Sequence, residues 1–443
     1  MKSSSRQPDP PPSALGEKLL LVILGSYRSK RHIYERARKL GVRLVVIDGP
    51  GHWVRSCAGP DDLIEKHLAV DLWPFATFVD RSLAAVRKSG LRLGGIGTID
   101  EFAGGFSARI AEGLSLPFHS VAAADLARDK HRVRERCAED GLKGPRVFRI
   151  QGPDDLRPAA AHVGFPAVLK PVSGVGSVQA FRVGDLSELV RRHEGILAEV
   201  SRVGARCAAP LSSDRDWFGL MWSGQPHLTM ESWIEGQKYD VDLLLDEGRV
   251  VYGHVTDDLQ ALGIRDVRRV APSGLDRAAE AELVDHAAAC VRAIGFRRGA
   301  FNVEVKRTPA GPRMIEVNGR LGGYSTTDIH EQVWGVDLVE QWLRASLGLP
   351  LEVMERSPRK FVAESLLPAP RSGVVVADGF LDELKVASGV VTARPWVFRG
   401  DVVAGIETGS PDWLGALLCE GQTREEALDI LDALVARLSF PVR

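Results

Sequence analysis

The chain has 443 residues, of which 44% are hydrophobic and 26% are charged, and its formal net charge is −1. A chain of this length is too long for one ordinary core and predicts about two to four domains. The near-zero charge gives no basic surface for nucleic acid or an anionic membrane, so we expect neither as a partner. The five cysteines are scattered and form no CxxC pair, which argues against a disulfide framework or a zinc site and favours a cytoplasmic location.

The N-terminal part divides into a leader and a predicted parallel sheet. Residues 1–18 are polar and rich in proline, which predicts a disordered leader. The apolar run Leu19–Gly25 is too short to span a bilayer. From Leu19 the order strand, loop, helix, strand predicts a doubly wound, Rossmann-like α/β domain over residues 19–125. Its first loop lacks the GxGxxG pattern of dinucleotide-binding proteins.

Three more units are predicted along the rest of the chain. A basic helix, two strands around a glycine turn and a long helix indicate a small β-rich module over residues 130–205. Alternating strands and two helical segments indicate a larger unit over residues 206–350. After a linker, residues 360–443 are predicted to form a final β-rich segment.

Two segments on either side of residue 310 predict an antiparallel hairpin with carboxylates on one face. In "RMIEVNGRLGG", Glu316 and Asn318 occupy alternate positions, and "GAFNVEVK" alternates in the same way. The intervening "RTPAGP" carries turn chemistry. Equal distances from the turn predict that Glu304 lies opposite Glu316 and Asn302 opposite Asn318.

Two interpretations of this hairpin stay open. Directly opposed glutamates have Cβ atoms about 4.5–5.5 Å apart and repel each other, so a positive charge is needed there. Carboxylate and amide oxygens on a rigid sheet suit Mg²⁺, which completes its shell with phosphate oxygens and water. The alternative is a solvated polar face whose two glutamates are neutralised by Lys306 and Arg320.

A glycine loop follows a lysine at the end of another predicted strand. "VLKPVSGVGS" contains Lys170, Ser173, Gly174, Gly176 and Ser177. Small residues let backbone N–H groups approach phosphate oxygens, although the GxxxxGK[ST] pattern of a Walker A loop is absent. The segment is therefore either a phosphate-binding loop or a structural turn.

These motifs together resemble the ATP-grasp superfamily. They are "DK" (Asp129 and Lys130), the loop after Lys170, "ESWIEG" (231–236), and Glu304 followed twelve residues later by "EVN" and then Arg320. Their order and spacing match that superfamily over roughly residues 19–345. Within it, the chain is most similar to amino-acid ligases of the carnosine synthase and bacterial L-amino-acid ligase type, which make dipeptides.

The resemblance implies a multi-domain α/β protein with the ATP-grasp fold. Its parts would be the Rossmann-like domain, a lid over residues 130–205, a catalytic unit built on an antiparallel sheet over 206–350, and the C-terminal segment. The implied reaction is ATP-dependent amide formation through an acylphosphate, with Mg²⁺ as the metal and Mn²⁺ as its substitute. The implied substrates are amino acids.

The resemblance also assigns roles to individual residues. The residues assigned to ATP are Lys130, Lys170, Ser173, Gly174, Gly176, Ser177, Glu231, Ser232, Trp233, Ile234 and Asp240. The residues assigned to Mg²⁺ are Glu304, Glu316 and Asn318. Catalysis is assigned to Arg320 together with Glu316 and Asn318, and the substrate contacts are Arg320, Gly322 and Gly323.

One position departs from the pattern of the superfamily. Lys238 stands where a glutamate commonly reaches the ribose of ATP, so Asp240 or Asp242 is the alternative ribose contact. Lys238 itself is then either part of the site or a plain surface residue.

His254 and Asp328 are further candidates for the substrate site. His254 alternates with apolar neighbours on a predicted strand, so it either lines the pocket or is hydrogen-bonded within the sheet. Asp328 follows the glycine turn together with His330 and Glu331. These side chains either bind a substrate ammonium or cap and cover the following helix.

Three functions are compatible with the sequence. The first is a dipeptide ligase, and the second is an ATP-grasp ligase that joins a different carboxylate or amine in natural-product biosynthesis. The third is a nucleotide-binding scaffold without catalysis, against which the retention of Glu304, Glu316, Asn318 and Arg320 argues. The sequence leaves the two substrates and the oligomeric state open, with a homodimer as one arrangement.

Overall fold

The structure, a computed structural model, describes residue 15 and residues 18–59, 62–174, 179–204, 227–262, 264–408 and 411–443. Most of the predicted leader, together with Gly176 and Ser177 of the glycine loop, therefore lies outside the described residues. Within the described ranges, no helix combines the length and the apolar character that crossing a membrane requires.

The N-terminal unit is built on a parallel sheet, as predicted. Its strands pair in the order β3-β2-β1-β4. Alternate residues of the first strand enter two separate apolar cores, Leu20 and Val22 on one side and Leu21 and Ile23 on the other, so helices cover both faces. The elements are β1 (Leu19–Ile23), α1 (Arg31–Lys39), β2 (Arg43–Asp48), β3 (Lys66–Ala69), α2 (Phe78–Ser89), β4 (Gly95–Gly97), α3 (Gly104–Leu114) and α4 (Val121–Arg128).

A second, small unit carries an antiparallel sheet in the order β5-β8-β6-β7. Its strand β8 is contributed by residues that the sequence analysis assigned to the next unit. Leu228 and Met230 of that strand pack in the same core as Leu169 and Ile150, which draws it into this sheet. The elements are α5 (Lys130–Glu139), β5 (Val147–Ile150), α6 (Leu156–Val163), β6 (Ala167–Pro171), β7 (Phe181–Val183), α7 (Leu186–Gly204) and β8 (Leu228–Ser232).

The largest sheet continues from the middle of the chain into its C-terminal segment. In the described residues it has the order β13-β12-β9-β10-β11-β14-β18-β16, and β11 pairs with β14 across the predicted boundary. The domain boundaries therefore stay predictions. The elements are β9 (Gln237–Asp246), β10 (Arg249–Leu262), β11 (Arg265–Ala271), α8 (Arg277–Ile294), β12 (Gly299–Thr308), β13 (Gly311–Asn318), α9 (Thr326–Trp334), α10 (Leu338–Ser346), β14 (Phe361–Pro368), β15 (Gly373–Val374), β16 (Val390–Pro395), β17 (Val402–Val403), β18 (Trp413–Gly421) and α11 (Arg424–Val435).

Local chemistry explains the tight connection between β9 and β10. Asp246 pairs with Arg249, and the two residues between them, Glu247 and Gly248, have φ of 50° and 80°. Positive φ at both central positions is the geometry of a type I′ turn, whose twist matches that of the flanking strands.

The two faces of the largest sheet differ in polarity, and this difference positions the site. Val241, Val303 and Val305 pack in one core with Leu283 and Val291 of α8. Because side chains alternate along a strand, the residues between these valines project from the opposite face. That opposite face carries the predicted carboxylates.

Candidate active site

The hairpin of β12 and β13 has the predicted register. Glu304 pairs with Glu316 and Asn302 pairs with Asn318. The register shifts by one residue between Glu304 and Val305, so the loop that joins the two strands is one residue shorter than a uniform register would give. The two glutamate side chains are 23% and 18% exposed, so they are partly shielded from water.

Each glutamate of the hairpin has a lysine partner from another part of the chain. Lys130 Nζ lies 2.7 Å from Glu316 Oε1, and Lys238 Nζ lies 2.9 Å from Glu304 Oε2. The cations named in the alternative interpretation contact other groups. Lys306 donates to the Ile234 carbonyl at 2.8 Å, and Arg320 pairs with a carboxylate of the N-terminal unit.

The two glutamates have opposite pKa shifts. Burial raises the pKa of Glu304 to about 7, and the charge of Glu316 adds to that effect while Lys238 opposes it. Burial also acts to raise the pKa of Glu316, but Lys130 and Lys170 outweigh it and hold that pKa at about 2. The two lysines therefore stabilise the charged form of Glu316. Burial disfavours the charged form of Glu304, which a bound cation would stabilise.

The hairpin is one edge of a polar face that crosses six neighbouring strands. Directly paired residues lie on the same face, and the printed registers link these positions from strand to strand. The side chains that share this face are Glu316 and Asn318 on β13, Asn302, Glu304 and Lys306 on β12, Lys238, Asp240 and Asp242 on β9, Thr256 and Asp258 on β10, Arg269 on β11 and Glu364 on β14.

Lys238 lies at the centre of an acidic cluster on this face. It forms ion pairs with Glu304, with Asp266 and, at 3.4 Å, with Asp258. Its side chain is 15% exposed, so the interpretation as a plain surface residue is wrong. Burial and the charge of Asp240 raise the pKa of Asp258 well above its ordinary value. Within the described part of the chain, neither carboxylate oxygen of Asp258 has a hydrogen-bond partner.

The small unit brings two more candidate lysines to the hairpin. Asp129 caps α5 by accepting from Arg132 N at 3.0 Å, which makes Lys130 the first residue of the helix. The ammonium of Lys130 also donates to the Gly174 carbonyl in the glycine loop. Lys170, at the end of β6, lies 3.0 Å from Glu231 Oε2. These lysines face the hairpin across the opening between the two sheets.

Glu231 on β8 has one satisfied oxygen and one orphaned oxygen. Its Oε2 accepts from Lys170 and, at 3.1 Å, from Arg134. Its Oε1 is buried and has no hydrogen-bond partner among the residues that the structure describes. A buried acceptor without a donor is costly, so this atom is a place where a ligand donor fits.

The three residues after Glu231 run along the joint between the two sheets. Ser232 accepts from Arg146 N at 3.0 Å, and Trp233 N donates to the Pro166 carbonyl at 3.0 Å. The ring of Trp233 has Lys306 Nζ at 4.0 Å. The backbone of this segment is therefore fixed on one side by the small unit and on the other by β12.

Arg320 is tied to the N-terminal unit. Its guanidinium donates to Glu101 Oε2 at 2.9 Å and to Asn318 Oδ1 at 3.3 Å. The other oxygen of Glu101 accepts from Arg128 at 3.1 Å, and Arg128 donates to the Ser173 carbonyl at 2.6 Å. A short chain of charged groups thus connects the candidate catalytic arginine to the glycine loop.

A line of hydrogen bonds leads from Asn318 into the protein. Asn318 donates to Asn302 Oδ1 at 3.2 Å, and Asn302 donates to Asp242 Oδ1 at 3.1 Å. Asp242 Oδ2 lies 3.1 Å from His330 Nε2, whose other nitrogen lies 2.7 Å from the Tyr252 hydroxyl. Both oxygens of Asp242 therefore have partners within the protein.

The other proposed ribose contact, Asp240, is also engaged. It is 6% exposed, and its Oδ2 lies 3.0 Å from Arg269 Nη1. Arg269 is held on its other side by Glu364, at 2.9 Å from Nε. The assignment of Asp240 to the cofactor stays a prediction.

The predicted substrate residues differ in their surroundings. A Cβ added to Gly322 would lie 2.8 Å from Asp242 Oδ1, so only glycine fits there, whereas nothing lies within 4 Å of one added to Gly323. His254 lies between Glu280 at 3.0 Å and Glu355 at 2.8 Å. Asp328 lies 3.1 Å from Arg394, which places the latter, a residue of the C-terminal segment, near the site.

Several residues of the site were missed by the sequence analysis. They are Glu101, Arg128, Arg134, Asp258, Arg269, Glu364 and Arg394. Most lie far in sequence from any motif. Glu364 is marked by its charge on the otherwise uncharged strand β14, and Asp258 continues the alternation of His254 and Thr256 on β10. Strand β11 carries four charged residues, so its sequence gives no signal for Arg269.

Two family matches and several relatives agree with this geometry. Residues 163–328 match the ATP-grasp domain family, and residues 365–443 match the family described as L-amino acid ligase C-terminal domain 2. The chain is 32% identical over 384 residues to Carnosine synthase 1 of Gallus gallus, covering 84% of this chain and 39% of that protein. It is 26% identical over 266 residues to Alanine--anticapsin ligase of Bacillus subtilis, covering 57% of this chain and 54% of that one. The chain therefore spans about two fifths of the chicken relative.

Solved structures give the same fold. The L-amino acid ligase from Bacillus licheniformis superposes with a TM-score of 0.79 at 21% identity, covering 96% of this chain and 99% of that one. The phosphoribosylglycinamide synthetase from Anaerococcus prevotii superposes with a TM-score of 0.68 at 15% identity, covering 96% of this chain and 100% of that one. The chain therefore has the ATP-grasp fold and carries an ATP-grasp domain followed by an L-amino acid ligase C-terminal domain.

Proposed function

We propose that this protein is a Mg²⁺- and ATP-dependent ligase that joins the carboxylate of one amino acid to the amine of a second. The observation that carries the proposal is the opposed pair Glu304 and Glu316, bordered by Lys130, Lys170 and Arg320. The similarity to carnosine synthase and to alanine–anticapsin ligase supports amide formation as the reaction.

The residues present fit ATP as the phosphate donor. Lys130 and Lys170 supply positive charge for its phosphates, and the backbone at Ser173 and Gly174 is glycine-rich enough for close approach. The buried Oε1 of Glu231, which lacks a partner in the described residues, would accept a hydrogen bond from an exocyclic amine of the base. Trp233 and Ile234 follow directly after the end of the same strand.

The residues also fit Mg²⁺. Glu304, Glu316 and the amide oxygen of Asn318 are hard oxygen ligands on a rigid hairpin. Burial, to which the charge of Glu316 adds, raises the pKa of Glu304, and a bound cation would favour its charged form. When bound, the ion would neutralise phosphate charge during transfer. Asn302 and Asp242 hold the Asn318 amide in a fixed orientation for this purpose.

The reaction depends on how the substrates are positioned, because the substrates themselves supply both nucleophiles. A carboxylate oxygen of the donor amino acid attacks the γ-phosphorus, the bond to ADP breaks, and an acylphosphate forms. The acceptor nitrogen, after losing a proton, then attacks the acyl carbon, and phosphate leaves. Arg320 stabilises the charge on the transferred group, since its guanidinium is fixed by Glu101 and Asn318.

The small unit would act as the lid that keeps water from the acylphosphate. Lys130 already links that unit to the hairpin through Glu316, and Arg134 links it through the Ile315 carbonyl. Closure held by such contacts excludes water from a reactive intermediate. The residue boundaries 130–205 and 206–350 belong to this proposal, with β8 as part of the lid sheet.

The described cysteines support a reducing compartment. Cys57, Cys137, Cys290 and Cys419 are buried and unpaired, which fits a cytoplasmic protein. A homodimer stays a prediction.

The test measures ADP and phosphate release with a panel of single amino acids and of pairs, and identifies products by mass spectrometry. We expect release to depend on a particular pair and to yield its dipeptide. Glu316→Gln should reduce turnover at least about a hundredfold, since it removes a ligand and the partner of Lys130. Glu383→Gln, at an exposed position of the C-terminal segment, is the matched control.

Two results would contradict the proposal. The first is ATP binding without amino-acid-dependent turnover anywhere in the panel, which would favour a scaffold. The second is product formation only with a carboxylate or amine that is not an amino acid.

A further inference from the structure

Lys30 lies at the ligand-binding edge of the N-terminal sheet and was not assigned a role by the sequence. It ends the loop that follows β1 and directly precedes α1, and it is partly buried. Ligands of α/β sheets bind outside the carboxyl ends of the strands, which is where this loop lies. The loop is held in place, because Gly25 N donates to Asp48 Oδ2 at 2.6 Å and Lys30 N donates to the Tyr27 carbonyl at 2.9 Å.

The surroundings of Lys30 are the charged groups of the candidate active site. Burial, followed by the charge of Arg320, lowers its pKa to about 7. Arg269 and Arg394 act in the same direction, and Asp100 acts against them. The contact of Arg28, in the same loop, with the Phe398 ring places Lys30 where the N-terminal unit meets the C-terminal segment.

The arginines around Lys30 already have carboxylate partners. Arg320 pairs with Glu101 at 2.9 Å, and Arg394 pairs with Asp328 at 3.1 Å. Arg269 is likewise held between two carboxylates. Among the residues that the structure describes, the ammonium of Lys30 has neither a hydrogen bond nor an ion pair. Lys30 therefore differs from these arginines, because no carboxylate of the described residues pairs with it directly.

Two substrate carboxylates need to be distinguished in the proposed reaction. The donor carboxylate must approach the phosphate, and the charges that act there on Glu316 are those of Lys130, Lys170 and Arg320. Lys30 shares only Arg320 with that set, and its other neighbours lie toward β11 and β16. It is therefore placed for a carboxylate on the side of Arg320 that faces the C-terminal segment.

We propose that Lys30 binds the free carboxylate of the acceptor amino acid and so makes the site prefer the acid over its amide. This inference rests on the proposed ligase function and assigns a specificity-determining residue to its second substrate. Arg394 of β16 adds positive charge on the same side, from the C-terminal segment. Arg28, in the same loop, lies 5.3 Å from the Phe398 ring and joins the loop to that segment.

The test compares an accepted amino acid with its α-amide as the acceptor, using an acceptor that the panel of pairs has identified. We expect the wild-type protein to favour the acid by about ten- to a hundredfold in kcat/KM. Lys30→Met should raise the KM for the acid by a similar factor, leave the KM for the amide unchanged and so abolish the preference. The KM values for ATP and for the donor should not change.

Two matched variants complete the experiment. Lys30→Arg keeps the charge and should keep most of the preference for the acid, whereas Lys39→Met, at an exposed position of α1, should behave as wild type. A circular dichroism spectrum and a thermal unfolding midpoint equal to those of the wild-type protein show that Lys30→Met is folded.

Three outcomes would overturn the inference. They are equal use of acid and amide by the wild-type protein, a fall in kcat of Lys30→Met for both acceptors with the preference intact, and a rise in the KM for the donor. Absence of amino-acid-dependent turnover in the wild-type protein would instead reject the ligase function, so the two failures are distinguishable.

Discussion

Arg320 Nη2 donates to Glu101 Oε2 at 2.9 Å, so the candidate catalytic arginine on the largest sheet is held by a carboxylate of the N-terminal unit. The same carboxylate accepts from Arg128, which reaches the carbonyl of Ser173 in the glycine loop. Glu101 is therefore the group through which the position of the glycine loop and the orientation of Arg320 are coupled.

Replacement of Glu101 by glutamine should lower kcat by about ten- to a hundredfold, because it weakens the fixation of Arg320 without removing a group that contacts substrate. The KM for ATP should change less. Steady-state kinetics with an accepted pair of amino acids measures both constants. Glu112→Gln, at an exposed position of α3, serves as the control. An unchanged kcat in Glu101→Gln would show that Arg320 is oriented without Glu101.

The metal assignment predicts different effects for the two glutamates of the hairpin. Glu304→Gln removes the carboxylate with the raised pKa and should raise the Mg²⁺ concentration for half-maximal activity by about tenfold or more. Chelation by EDTA should abolish turnover, and Mn²⁺ should restore it. Titration of activity with Mg²⁺ at saturating ATP measures the shift. Wild-type Mg²⁺ dependence in Glu304→Gln would exclude this carboxylate as a ligand.

The sequence predicted the hairpin correctly because its information is local. Alternation placed Glu304, Glu316, Asn302 and Asn318 on one face, and the turn residues between the strands set the register. The parallel N-terminal sheet followed from the order of strands and helices in the same way. Both inferences use neighbours in the chain, where periodicity and turn chemistry suffice.

The counter-cations were not predictable in this way. Lys306 lies on the same face as Glu304 but also directly opposite Lys238, and it turns toward Trp233 instead. Lys130 arrives from a helix of another unit, and Lys238 from an adjacent strand. Which cation reaches a carboxylate depends on the packing of separate units, and that is not encoded in any local pattern.

Loss of Lys238 should destabilise the protein. It is the shared partner of Glu304, Asp258 and Asp266, so Lys238→Met leaves neighbouring buried carboxylates without their cation. We expect the free energy of unfolding to fall by about 3 kcal/mol. Added Mg²⁺ should recover part of this loss, because the ion replaces the missing charge. Denaturant unfolding with and without Mg²⁺ measures both effects, and stability equal to wild type in the absence of Mg²⁺ would contradict the role of Lys238.

The two possible roles of Asp242 make opposite predictions. As a support for the asparagines it accepts from Asn302 and pairs with His330, and both of its oxygens are occupied. Asp242→Asn should then lower the free energy of unfolding by about 1–3 kcal/mol and reduce kcat, while the KM for ATP stays within about threefold of wild type. A rise in the KM for ATP of tenfold or more with unchanged stability would instead make Asp242 the ribose contact.

The lowered pKa of Lys30 predicts how acceptor binding depends on pH. Burial and the charges of Arg320, Arg269 and Arg394 lower this pKa to about 7, and Asp100 opposes them. The ammonium of the free protein is thus mostly charged below pH 7 and mostly neutral above it. Because only the charged form binds a carboxylate, the KM for the acid acceptor should rise by up to about tenfold per pH unit above pH 7.

The measurement is the KM for the acid acceptor between pH 6 and 9, in the wild-type protein and in Lys30→Arg. The arginine stays protonated over this range, so its KM should lack the rise that the lysine produces. Titration of the acceptor amine affects both proteins equally and cancels in their comparison. Parallel profiles in the two proteins would show that Lys30 does not bind the acceptor carboxylate through its charge.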